Sequence, residues 1–280
     1  MPIITFWSNC DKAIGQTVSA SIAATVMAME HNYKVLLISA DINNDSMEYC
    51  FGAQESNIDI VKSLIKTPQI NLNSGINGLM KLADSNRVTP EIVHDYTKII
   101  FKNRFEVLYS PMNVIDENEK NNLMNNFKNI IMNASRFYDQ VIVDLKKGMK
   151  YNQELEILGM SDVVVENIEQ GVKTIKNFIA TNETKTLLNQ NKVIWNICKC
   201  DKNSKYNAKN ITRNVLKKQP VYETDYNTLV LEAAQEGNLA ELLIRFRTLK
   251  IEDENSLFVS KAKELVEGIL LKYQETRMRI

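Results

Sequence analysis

The chain has 280 residues, 44% hydrophobic and 24% charged, with Lys+Arg and Asp+Glu equal at 34 each. That composition excludes an intrinsically disordered chain, and the balanced charge excludes a global field that would gather nucleic acid or membrane, so any such contact needs a local patch. No charged start runs into an apolar stretch and no apolar run reaches about 18 residues, so neither a signal peptide nor a membrane span is expected.

In chain order, Ile3-Ile4-Thr5-Phe6-Trp7 predicts a first strand, and Thr17 to His31 a helix with Ala20, Ala23, Ala24 and Met27 on one stripe. Small residues there let the helix lie close to a sheet. Val35-Leu36-Leu37-Ile38 is a continuous apolar run, as expected for a parallel strand covered on both faces. The stretch from about Asn57 to Arg104 is more polar, with turn signals around Asn73 to Gly78, and reads as helices and loops on the rim. Strand patterns return at Val107-Leu108-Tyr109, Val141-Ile142-Val143, Val163-Val164-Val165 and Val193-Ile194-Trp195, with a short last one at Val221-Tyr222. Helices fit Glu117 to Ser135, Gly171 to Asn182 and Ala208 to Lys218, and an amphipathic closing helix runs from Ser256. Alternating strands and helices predict a doubly wound, mainly parallel α/β sheet. No Pro/Gly/Ser-rich linker interrupts the chain, so residues 1–280 are expected to form one domain with 256–280 as its closing helix.

The cysteines, Cys10, Cys50, Cys198 and Cys200, lack metal spacing and read as reduced thiols, with Cys198 and Cys200 expected on the same side of a strand. Only His31 and His94 exist, which leaves histidine-based hydrolysis poorly supported; His31 fits a helix C-terminus, where a cation is favoured.

The most informative stretch is Ser8-Asn9-Cys10-Asp11-Lys12-Ala13-Ile14-Gly15-Gln16-Thr17, between a predicted strand and a predicted helix. Backbone N–H groups and a helix N-terminus at such a place attract phosphate. A tight βα turn with no ligand is the plain alternative. The loop resembles that of the ParA/MinD family of P-loop ATPases, which reads Gly-Lys-Gly-Gly-x-Gly-Lys-Thr. On that pattern Gly15 and Thr17 match, Cys10, Lys12 and Ala13 replace glycines, and Asp11 and Gln16 occupy the two lysine slots. A carboxylate at Asp11 would repel a phosphate by roughly 1 to 4 kcal/mol at about 4 Å, between dielectrics of 80 and 20. The resemblance implies a nucleotide cradle at Asp11, Lys12, Ala13, Ile14, Gly15, Gln16, Thr17 and Val18, degenerate in charge and with little or no hydrolysis.

Other segments extend the resemblance from residue 3 to about residue 240. Val35 to Asp41 is similar to the family's strand ending in Asp-x-Asp, so Asp41 is the implied water-orienting residue; turn formation before Ile42-Asn43-Asn44 is its plain role. Tyr138 to Asp144 resembles the Walker B strand, so Asp144 with the Thr17 hydroxyl would hold Mg²⁺. Leu145-Lys146-Lys147-Gly148 departs from the family's switch, and Lys146 and Lys147 are expected either to restore charge near phosphate or to sit in a solvated loop. Val193-Ile194-Trp195-Asn196 matches the strand whose asparagine reads adenine, which makes Asn196 the base-recognition candidate.

Lys199, Lys202, Lys205, Lys209, Arg213, Lys217 and Lys218 form a basic run with spacings of three and four, either a DNA or anion patch on one helix side or a solvated face. The resemblance implies ATP or ADP with Mg²⁺ as ligands, a homodimer, and a role as a positioning or assembly scaffold in a pilus, secretion or partition system, with the TadZ/CpaE branch a plausible home. The alternative it leaves open is an ATP-cycling partition ATPase on non-specific DNA. A cytoplasmic location is expected, with membrane contact through the last helix a third option.

Overall fold

The computed structural model describes every residue except 11–12, 53–73, 86, 147–150, 182–183, 187–190, 217–218 and 279–280, and of 74–75, 77, 151–152 and 215 the backbone alone. The elements run β1 Ile3–Trp7, α1 Gln16–Glu30, β2 Val35–Ala40, α2 Ser46–Phe51, α3 Ser74–Asp84, α4 Pro90–Asp95, β3 Lys98–Phe101, β4 Phe105–Leu108, α5 Glu117–Ala134, β5 Gln140–Leu145, α6 Tyr151–Met160, β6 Val163–Ile168, α7 Val172–Ala180, β7 Val193–Cys200, α8 Ala208–Ile211, β8 Val221–Asp225, α9 Thr228–Glu236, α10 Leu239–Arg247 and α11 Glu254–Arg277. A π-helical turn, Thr212–Leu216, continues α8.

Eight strands form one sheet in the order β3-β4-β2-β5-β1-β6-β7-β8. Every pairing is parallel except β3 with β4. β1 sits between β5 and β6, with Phe6 opposite Asp144 and Val165, so the loop leaving β1 emerges beside the end of β5. Strand side chains alternate between two cores. Ile3, Trp7, Leu36 and Ile38 meet α3 to α8 on one face, while Ile4, Phe6, Val35 and Leu37 meet α1, α2 and α9 to α11 on the other.

The stripe of alanines in α1 explains its central place. Ala20, Ala23, Ala24 and Met27 are fully buried, and the helix contacts the sheet as well as α10 and α11. The closing helix begins at the N-cap Asp253, whose carboxylate accepts from the Asn255 N–H at 2.8 Å. It lays Phe258, Ala262, Leu265, Val266 and Ile269 into the second core.

The middle of the chain departs from the expected rim of helices and loops. β3 and β4 form an antiparallel hairpin, with Asn103 in the left-handed region at φ 61. The turn expected around Asn73 to Gly78 lies inside α3, apart from Asn73 itself, which falls outside the described residues. A Cβ at Gly78 would lie 3.0 Å from the Tyr96 ring, so this glycine permits close helix packing rather than a turn.

Candidate functional site

Gly15, at φ 95, ends the loop after β1 and precedes the first turn of α1. A side chain is disfavoured at such a φ, which accounts for the glycine. Its carbonyl accepts the Ser19 N–H at 3.0 Å. Ile14 is buried and Ala13 exposed, while Gln16, Thr17 and Val18 are half-buried; Asp11 and Lys12 lie outside the described residues.

The two residues that open α1 close onto the end of β5. Thr17 Oγ1 donates to Asp144 Oδ2 at 2.6 Å. Gln16 Nε2 lies 2.7 Å from Asp144 Oδ1, 3.0 Å from the Leu145 carbonyl and 3.1 Å from the Phe6 carbonyl. All three acceptors belong to the protein, so the amide in this lysine slot is turned inward and carries no charge. Burial pushes the Asp144 carboxyl up to about 6, against the opposing hydrogen bonds from Thr17 and Gln16.

Asp41 stands at the end of β2 and organises a turn. Its carboxylate accepts from the Ile42 N–H at 2.7 Å and from Asn44 Nδ2 at 2.6 Å. Lys146 Nζ lies 3.0 Å from Asp41 Oδ2. The charge that could have served phosphate is therefore paired with the residue that could have oriented water; Lys147 falls outside the described residues.

Asn196 departs from the expected base contact. It is fully buried in β7, donating to Ser19 Oγ at 2.7 Å and Asn167 Oδ1 at 3.0 Å and accepting from Thr224 Oγ1 at 3.1 Å. Its amide links α1, β6, β7 and β8 and presents no edge to a base. The cysteine expectation also fails. The β7–β8 register shifts between Cys198 and Cys200, and Lys199 has φ 51. This bulge turns Cys200 into the first core, whereas Cys198 Sγ donates to Asn167 Oδ1 at 3.3 Å beside α1. Burial raises both thiols to about 12.

The basic run is not one helical stripe. Lys202 and Lys205 precede α8, and only Lys209 and Arg213 lie on it and its continuation; Lys217 and Lys218 are outside the described residues. Lys202 pairs with Glu254 at 2.5 Å. Lys205, Lys209 and Arg213 remain exposed.

Lys199 does something the sequence pattern did not announce. The bulge throws its side chain over the loop, where Nζ donates to the Ala13 carbonyl at 3.2 Å. A Cβ on Gly15 would lie 3.0 Å from Lys199 Cε. A cavity of about 690 Å³ opens beside it between the ends of β7 and β8 and the start of α11. Cys200, Glu223 and Asp225 cluster nearby, but Lys261 Nζ lies 2.8 Å from both Glu223 Oε2 and Asp225 Oδ1.

A magnesium nucleotide fits this site in part. Thr17 and Asp144 supply hard oxygen donors of the kind Mg²⁺ takes. Beside them Gln16 is a neutral amide bonded to Asp144 and two backbone carbonyls, and it brings no positive charge to the start of α1.

No family model and no curated protein matches the chain. Solved structures do. A ParA family ATPase from Chlorobium tepidum TLS superposes with TM-score 0.63 at 14% identity over 96% of this chain and 98% of its own. MinD from Pyrococcus horikoshii OT3, complexed with Mg-ADP, gives TM-score 0.64 at 14% identity over 97% and 98%. A putative plasmid partition protein from Borrelia burgdorferi B31, bound to AMPPNP, gives 0.58 at 16% identity over 97% and 99%.

Proposed function

We propose that this protein, which shares the fold of the ParA/MinD ATPases, is a positioning or assembly scaffold that binds nucleotide weakly and does not turn it over. The observation that carries this reading is the inward-facing Gln16 amide, held on Asp144 and on the Phe6 and Leu145 carbonyls. Charge stabilisation is the main protein contribution to phosphoryl transfer. Here the neighbouring cation, Lys146, is paired with Asp41, and the Mg²⁺ donors are bonded to each other.

Function then rests on self-association and on protein partners of a pilus, secretion or partition system. The structural neighbours, a ParA family ATPase and a plasmid partition protein among them, support this direction. Membrane attachment through α11 gains little support, because its apolar face is spent in the core; no helix among the described residues is long and apolar enough to cross a membrane. Sedimentation with and without MgATP tests the reading. A scaffold keeps one oligomeric mass in both conditions, and a dimer that forms only with MgATP contradicts it.

A second reading, an ATP-cycling partition ATPase on non-specific DNA, is favoured by the exposed Lys205, Lys209 and Arg213. Phosphate contacts of that kind lose affinity steeply with salt. DNA binding at low salt that vanishes in a Lys205→Ala/Lys209→Ala/Arg213→Ala variant supports it, and equal binding by that variant removes the patch.

A further inference from the structure

Away from the phosphate loop, a groove runs between α7 and α8. It encloses about 390 Å³, and Val172, Lys176, Lys205, Tyr206, Ile211 and Asn214 line it. The inward side chains of its walls, Ile175 and Phe178 from α7 and Ile211 and Leu216 from α8 and its continuation, belong to the first core. Val172 is half-buried and belongs to neither core, and Tyr206 is 38% exposed. The floor and one rim are therefore apolar and uncovered.

Hydrogen bonds set the walls without help from the lysine ammonium groups. Gln170, just before α7, holds the opposite loop. Its Nε2 donates to the Tyr206 carbonyl at 3.1 Å, and its Oε1 accepts the Asp201 N–H at 2.9 Å. Asn207 caps α8 by accepting the Asn210 N–H at 3.0 Å, and Asn210 Nδ2 donates to the Lys205 carbonyl at 2.8 Å. The turn that continues α8 is π-helical, a form found frequently at functional sites. Walls fixed in advance lose less freedom when a ligand settles between them.

The charge of the groove is one-sided. Residues 171–180 and 202–216 contain Lys173, Lys176, Lys202, Lys205, Lys209 and Arg213 and no Asp or Glu. Lys202 pairs with Glu254. Lys176 and Lys205 have no ion pair among the described residues, and Lys205 Nζ lies 5.2 Å from the Tyr206 ring centroid. Glu169 and Asp201 stand just outside these two segments and do not line the groove. An apolar recess rimmed by unpaired cations is complementary to an acidic chain that carries an apolar side chain. Duplex DNA brings negative charge, but its phosphate contacts leave a recess over Val172 and Ile211 unfilled.

We propose that the groove between α7 and α8 docks an acidic segment of a partner protein, with carboxylates on Lys176 and Lys205 and an apolar side chain between Val172, Tyr206 and Ile211. This rests on the reading that the protein acts through protein partners. It adds the surface and the chemistry of the segment bound there.

Selection of a random peptide library displayed on phage against the full chain tests the proposal, with synthetic copies of enriched peptides measured by fluorescence anisotropy. Enriched peptides should combine Asp or Glu with a Leu, Ile, Phe or Tyr anchor. Lys176→Gln/Lys205→Gln should weaken them about tenfold, and Val172→Ser about fivefold. Thermal unfolding of each variant reports whether the fold is kept. Absence of enrichment, enriched peptides without acidic residues, or affinity unchanged in either variant overturns the proposal. So does a short DNA duplex that binds more tightly than the peptides and weakens in Lys176→Gln/Lys205→Gln but not in Val172→Ser, the pattern of a nucleic-acid surface. Repeating the titrations with MgATP separates this proposal from the scaffold reading. Equal affinity with and without MgATP is expected. Peptide binding that requires MgATP supports the groove and contradicts the scaffold, whereas failure of the peptides overturns the groove alone.

Discussion

Gln16 Nε2 and Asp144 Oδ1 lie 2.7 Å apart, and this pair fastens the first turn of α1 to the end of β5. The neutral amide satisfies a buried carboxylate and, on the proposed reading, stands where a phosphate would otherwise meet a cation.

Restoring the charge should therefore restore affinity. Gln16→Lys places an ammonium beside Asp144, where charge-assisted bonds to a phosphate are roughly twice as strong as neutral ones. Mg-ATP should bind about tenfold tighter than to the wild type, read by titration calorimetry. Unchanged affinity would show that the Gln16 slot does not face the ligand.

Asp144 gives the site a pH signature. Its folded-state carboxyl is raised from 3.8 to about 6 by burial, so the folded chain holds that proton more tightly than the unfolded chain. Its contribution to stability is therefore present below about pH 4 and lost as pH climbs through about 6, on the order of 3 kcal/mol in total. Asp144→Asn removes this dependence. Urea unfolding at pH 4.5 and 7.5 should show the variant gaining on the wild type at the higher pH.

A second buried carboxylate behaves in the opposite sense at the far end of the sheet. Glu106 on β4 accepts from Thr97 Oγ1 at 2.7 Å and from the Tyr138 hydroxyl, with His94 Nδ1 at 2.7 Å and Lys34 Nζ at 3.5 Å. Burial raises its pKa, but the hydrogen bonds and Lys34 outweigh this, and the net shift is downward. The stability it contributes is present above the ordinary glutamate pKa and disappears as pH falls below it. Glu106→Gln should cost about 1.5–3 kcal/mol at pH 7 by denaturant unfolding, and the variant should match the wild type more closely in acid.

Gly268 tests how the closing helix is seated. A Cβ there would fall 2.1 Å from Tyr222 Cζ and Oη, so the ring of β8 packs directly on the helix backbone. Gly268→Ala should destabilise by about 1–3 kcal/mol despite its better helix propensity. A thermal midpoint at or above that of wild type would show that Tyr222 swings aside freely.

Much of this fold is legible in the sequence, because the parallel strands are covered on both faces and read as unbroken apolar runs. Val35 to Ile38 and Val163 to Val165 are examples, all fully buried. The alanine stripe of α1 was equally visible. The β3–β4 hairpin was not: Lys98 and Ile99 are exposed on an edge strand and show no alternation. At the site, Asp11 and Gln16 are read directly from the loop, and the Thr17–Asp144 contact at 2.6 Å is one that the family resemblance, rather than residue pattern, implies. Asn196 misled because a polar residue within a strand can serve a buried network as well as a ligand. Lys199 was hidden because a bulge leaves little trace in residue pattern, and without it Cys198 and Cys200 appear to share a face.

The central claim is that the site's own hydrogen bonds have replaced its catalytic charge. The direct test is phosphate release from Mg-ATP by the purified chain, with and without DNA, beside Asp41→Ala. The account predicts that wild type and variant release phosphate no faster than buffer. Turnover by the wild type that disappears in Asp41→Ala would contradict it.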